Sequence, residues 1–149
     1  MRHKLLVAVD GKEPTWKVVD YVGSACEGDG SSAVIFHVLP ALPPFIEAGE
    51  SGDSSNMRDR YEAVSGEVAE KMVQAVRDRF LKEGVTAECD VEEDDGNVAE
   101  QIVAAAKRHA CDTIVVGRPS RSMIGEFFRG SVVEHLLRKP VGCTVWVIE

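Results

Sequence analysis

LLVAVDGKEPTWKVVDYV, residues 5–22, holds a strand, a turn and a helix in succession. LLVAV (5–9) is an unbroken apolar run. A strand with one wet face would alternate apolar with polar residues. One without polar positions is covered on both faces, which is the situation inside a parallel sheet. Asp10-Gly11 then breaks the run. Pro14 suits the first turn of a helix, Val18, Val22 and Ala25 recur at helical spacing, and Gly28 and Gly30 end the segment.

The same alternation continues outward. AVIFHV (33–38) is a second buried strand, and PALPPFIEAGESGDSSN (40–56) reads as a long exposed loop. Tyr61, Val64, Val68, Met72, Val76 and Phe80 then form one apolar stripe of a long helix that Gly84 ends. VTAECDV (85–91) is more polar and is expected at a sheet edge. EEDDGN (92–97) reads as a solvated acidic turn. Asn97 with Glu100 resembles an N-cap box, and Val98, Ile102 and Ala105 give the next helix its inner face. TIVVG (113–117), a helix over 131–138 and CTVWVI (143–148) complete the order. Strands alternating with helices predict one α/β domain over residues 1–149, doubly wound, with parallel strands joined by right-handed crossovers. Ligands in such sheets bind beyond the carboxyl ends of the strands, where the strand order reverses. If the first and fourth strands are neighbours, Asp10 and Gly117 face that crevice.

Composition narrows the functions. The chain has 149 residues, 44% hydrophobic and 28% charged, an ordinary globular balance. No apolar run approaches the ~20 residues that span a bilayer. The run after MRHK stops at Asp10, too short for a signal segment, so a cytoplasmic protein is expected. Cys26, Cys89, Cys111 and Cys143 have no metal-ligand spacing and are expected as reduced, small core residues. The four histidines are equally scattered. A net charge of -8 disfavours nucleic acid and anionic membranes as partners. Against that background residues 117–140 are a basic island, with Arg118, Arg121, Arg129, Arg138 and Lys139 against Glu126 and Glu134.

The sequence lacks the P-loop, the G-x-G-x-x-G dinucleotide fingerprint and the G-x-S-x-G elbow. It does place Gly130-Ser131 at a helix start after a strand ending in Gly117. Free N–H groups and the positive end of a helix dipole suit a phosphate there. Ser131 with Glu134 is equally a capping box that needs no ligand, and the residues alone leave both readings open. Asp10 caps a turn or contacts a ligand. His37, inside an apolar strand, is expected as a satisfied core histidine. Phe127 and Phe128 are expected to anchor the loop, and Trp146 to pack in an edge strand.

Over its whole length the chain resembles the universal stress protein family. LLVAVDGKEPTWKVVDY, VIFHVLP and DDGNVAEQIVAAAKRHACDTIVVG carry the resemblance. So does the signature G-x2-G-x9-G-[ST], matched by Gly117, Gly130 and Ser131, with Ser120 in place of the second glycine. The resemblance implies a five-stranded parallel sheet of order 3-2-1-4-5 that binds ATP or AMP, with Mg²⁺ or Mn²⁺ bridging the phosphates in some members. By position, Ala8, Val9, Asp10, Val38 and Val116 would hold the nucleoside, with Asp10 bonding ribose or base. Gly117, Arg118, Ser120, Gly130, Ser131 and Val132 would meet the phosphates. A homodimer through Thr144, Trp146 and Ile148 of the last strand is implied as well. The function implied is that of a nucleotide-responsive stress regulator with at most slow hydrolysis, since no residue looks like an organised base. The alternative is a dimeric interaction module without nucleotide, in which Ser120 and Pro119 close the pocket. Relatedness to ATP pyrophosphatases is disfavoured, because D-G-K-E-P stands where those carry S-G-G-x-D-S.

Overall fold

The computed structural model describes residues 2–42, 52–118, 132–139 and 141–149. At its centre is β1 (Lys4–Ala8), paired in parallel with β2 (Ser32–Leu39) on one side and β4 (Thr113–Gly117) on the other. β3 (Thr86–Glu93) and β5 (Thr144–Ile148) close the sheet at its two edges, giving the order β3-β2-β1-β4-β5. Leu5, Leu6 and Val7 are fully buried, as the unbroken apolar run requires. The odd residues Leu5, Val7 and Val9 pack with α1 (Glu13–Ala25) and α2 (Gly52–Lys82). The even residue Leu6 packs with α3 (Val98–Arg108) and α4 (Val132–Arg138) on the opposite face.

Pro14 lies in the first turn of α1, and Asn97 caps α3 by accepting a hydrogen bond from the Glu100 N–H at 3.2 Å. Other expectations are corrected. Ala25 is exposed, and Cys26 fills the inner face of α1 in its place. α2 begins at Gly52, so residues 52–56 are helix where a loop is expected; residues 43–51 of that segment lie outside the described residues. The predicted stripe of α2 divides. Val76 and Phe80 are fully buried, whereas Val64 and Val68 are 60% and 62% exposed. The reason is length. A helix of 31 residues runs ~46 Å, and the eight residues of β2 span only ~26 Å. The amino-terminal turns therefore carry an apolar stripe past the sheet that gives it something to cover.

The edge position of β3 is borne out, with a surface more charged than an exposed edge requires. Asp90 Oδ2 accepts hydrogen bonds from Arg108 Nη2 at 2.7 Å and from His109 Nε2 at 2.6 Å. Arg108 also reaches Glu92 Oε1 at 2.7 Å. Glu92 and Glu93 thus belong to β3 rather than to a solvated turn. The cysteines are all free, but only Cys26 is a core residue; Cys111 and Cys143 are half-buried and Cys89 is exposed.

Two outcomes follow from this packing. Phe80→Ala should cost about 3–5 kcal/mol by chemical denaturation, while Val68→Ala, on the same helix, should change stability by less than ~0.5 kcal/mol. The second concerns Asp90. Burial works to raise its pKa, and the bonds from His109 and Arg108 outweigh it, leaving the carboxyl below its ordinary value. That stabilisation is present above the unfolded-state value of about 4 and is lost as pH falls through the lowered folded value. Asp90→Asn should therefore lower stability at pH 7 by about 1 kcal/mol, discounted for partial exposure. The gap from wild type should close as unfolding curves are recorded at pH progressively below about 4.

Candidate functional site

The carboxyl ends of β1 and β4 meet at the point where the winding of the sheet reverses. A cavity of about 230 Å³ opens there. One wall is apolar, built from Ala8, Phe36, Val38, Val98, Ile102, Val116, Val132 and Val133. The opposite wall is the β1–α1 turn, with Asp10, Lys12, Pro14 and Thr15, and Asp94 closes the β3 side. Val9, Val18 and Gly117 complete the lining.

The turn is locked from within. Gly11 sits at φ +79°, a conformation only glycine adopts without strain. Thr15 is buried, and its hydroxyl accepts from the Asp10 and Gly11 N–H groups at 3.2 and 3.1 Å. The same hydroxyl donates to Asp10 Oδ1 at 3.0 Å, and the Lys12 N–H donates to that oxygen at 2.9 Å. Asp10 therefore does cap the turn with Oδ1, while Oδ2 has no hydrogen bond among the described residues; the residue lines the cavity. The Lys12 ammonium makes no ion pair among the described residues. Asp94 Oδ1 accepts from the Gly96 N–H at 2.8 Å.

Gly117 is held by packing. A Cβ there would meet Pro14 Cβ at 3.0 Å and Val18 Cγ2 at 3.1 Å. The glycine lets the first turn of α1 lie against β4, which brings Pro14 and Thr15 to the cavity. His37 is the satisfied core histidine expected of it: its Nδ1–H donates to the Val9 carbonyl at 2.8 Å.

Of the residues singled out in the sequence, Ala8, Val9, Asp10, Val38, Val116, Gly117 and Val132 are brought together around this cavity. Arg118 is not among the lining residues. Its N–H donates to the Ile148 carbonyl at 2.8 Å, and its guanidinium pairs with Glu149 at 2.8 Å. Ser120, Gly130 and Ser131 lie outside the described residues, as do Pro119, Arg121, Phe127, Phe128 and Arg129. Sequence reasoning missed Lys12, Thr15 and Asp94. Thr15 carried a signal, being a polar residue on the otherwise apolar inner face of α1. Val98 and Ile102 were read only as core, and they serve both the core and the cavity. Among the described residues no group of three or more His, Cys, Asp or Glu side chains converges to hold a metal ion. No helix among them is long and apolar enough to cross a membrane.

Solved structures share this architecture. The hypothetical protein MJ0577, subject of a structure-based assignment of biochemical function, superposes with a TM-score of 0.78 at 18% identity, covering 99% of this chain and 96% of that one. A universal stress protein in complex with cAMP gives 0.64 at 20% identity over 99% and 96% of the two chains. The universal stress protein from Archaeoglobus fulgidus in complex with dAMP gives 0.64 at 20% identity over 99% and 98%. Identities this low show the fold alone. No curated protein sequence matches the chain. The sequence profile of the Universal stress protein family, however, matches residues 1–149 from end to end. With the sheet order and the cavity at its switch point, that match places the chain in the universal stress protein family.

Proposed function

We propose that the protein is an adenine-nucleotide-binding regulator, with the nucleoside held in the cavity between the carboxyl ends of β1 and β4. The observation that carries the reading is the convergence of Ala8, Val9, Asp10, Val38, Val116, Gly117 and Val132 on one cavity at the switch point of the sheet. Its volume of about 230 Å³ is below the ~300 Å³ at which most ligand pockets begin. That suits the base and ribose of a ligand whose phosphates extend outward. The valine-rich wall fits the faces of a base, and the free oxygen of Asp10 fits a ribose hydroxyl. Relatives of the same fold have been solved with cAMP and dAMP, which supports an adenine ligand. The described residues give a divalent ion no site of their own, so Mg²⁺ would be held by the ligand's phosphates. Among the described lining residues, Asp10 Oδ1 is engaged by the turn and Asp94 Oδ1 by the Gly96 N–H, which favours binding over catalysis. The reading is of a nucleotide-responsive regulator, expected in the cytoplasm.

The reading extends to assembly. β5 lies at the sheet edge, where an uncovered strand invites pairing. A second copy pairing along Thr144–Ile148 would satisfy it. Trp146 and Ile148 pack inward toward α1, so the bond between copies would run through the backbone. Sedimentation velocity should show a dimer; a monomer at micromolar concentration would remove this part of the reading.

Thermal unfolding of nucleotide-stripped protein tests the site. ATP with Mg²⁺, or AMP, at ~100 times its dissociation constant should raise Tm by several degrees, with GTP giving less. Val98→Phe, which fills the apolar wall, should fold and lose the shift. No shift at millimolar ATP would favour the dimeric interaction module without nucleotide.

A further inference from the structure

Cys111 and Cys143 precede neighbouring strands, β4 and β5. The register Thr113↔Thr144 sets Cys143 level with Asp112, and the Thr144 N–H donates to the Asp112 carbonyl at 3.1 Å. Cys111 is one residue further along. Its N–H donates to the Ala106 carbonyl at 2.8 Å, so Cys111 sits in the turn from α3 into β4, beside the residue that Cys143 faces. A disulfide between them would hold the two Cα atoms roughly 4.4–6.8 Å apart. Both thiols pack against the same apolar cluster, on the face of Leu6, Ile114 and Leu136. Both are half-buried and free.

We propose that Cys111 and Cys143 are a redox pair, oxidised by hydrogen peroxide to an intramolecular disulfide that staples the start of β4 to the start of β5. In the first step one thiolate attacks a peroxide oxygen. The S–O bond forms, the O–O bond breaks, and hydroxide leaves and takes up the proton lost from the thiol. In the second step the other thiolate attacks that sulfur. The S–S bond forms, the S–O bond breaks, and a second water leaves with the second thiol proton. Two thiols lose two electrons in all, and one peroxide becomes two waters.

The surroundings set the pace. Burial pushes the Cys111 thiol up to about 11, with Asp112, Cys143 and Glu88 adding to the effect and Lys4 opposing it. Burial also raises Cys143, assisted by Asp112, while the Ile114 N–H and Lys107 oppose. Thiols raised in this way hold little thiolate at neutral pH, so their oxidation is slow. The closed ring runs from residue 111 to residue 143. It encloses Gly117 and Val132, which line the cavity, so the staple would brace that wall.

The test is peptide mapping of the full chain after peroxide treatment at pH 8 and alkylation of the remaining thiols. The expected product is a monomer whose 111- and 143-containing peptides are joined, two mass units lighter than the dithiol. Its Tm should lie several degrees above that of the reduced protein and return on reduction. Cys143→Ser and Cys111→Ser should each abolish the cross-link and the Tm rise. Cys111 and Cys143 both recovered alkylated when the exposed Cys89 has been oxidised would overturn the proposal. So would a 111–143 link that forms only in denaturant. The readout uses no nucleotide, so its failure leaves the nucleotide reading untouched.

Discussion

The burial of β1 on both faces, with parallel partners on both edges, is the constraint from which the remaining arrangement follows. A strand so placed has no freedom of register: a shift by one residue would turn Leu5 and Val7 toward α3 and α4, and Leu6 toward α1 and α2. The connection to β2 leaves on one side of β1, and β4 returns on the other. Helices leave in opposite directions at that point, and a crevice opens between them above the carboxyl ends. The cavity is a consequence of the winding. Residues on the ends of β1, β2 and β4 become its floor because those strands stop there.

The floor is finished by close packing at one glycine. Gly117 gives up a side chain so that Pro14 and Val18 can approach β4. That approach brings Thr15 under the β1–α1 turn, where its hydroxyl satisfies two backbone donors and one oxygen of Asp10. The turn cap that the sequence offers as one reading of Asp10 is what these bonds show, and the residue lines the cavity as well.

The central sheet was legible because the strands buried on both faces, LLVAV, AVIFHV and TIVVG, contain almost nothing polar. VTAECDV was placed at the edge for the converse reason, and the Arg108 and His109 contacts to its acidic residues explain how an edge this charged is held. α2 was misread because periodicity reports which side of a helix is apolar, and says nothing of whether anything lies against it. Val64 and Val68 keep the spacing of Val76 and Phe80 after the sheet has ended. Half of the cavity was legible through strand ends and resemblance. Lys12 and Asp94 were not, since a turn and a strand end distant in sequence converge only once the crossovers are drawn. The cysteines looked unrelated for the same reason: residues 111 and 143 become neighbours through the pairing of β4 with β5.

The central claim is that the crevice between β1 and β4 takes an adenine nucleotide, and the most direct measurement is a titration of isotopically labelled protein with AMP followed by amide NMR. Binding as proposed should move the resonances of Val9–Lys12, Val38, Asp94 and Val116–Gly117 in a saturable way, with those of β3's outer edge and the exposed turns of α2 unmoved. Saturable shifts confined to other surfaces, or none at millimolar AMP, would contradict it.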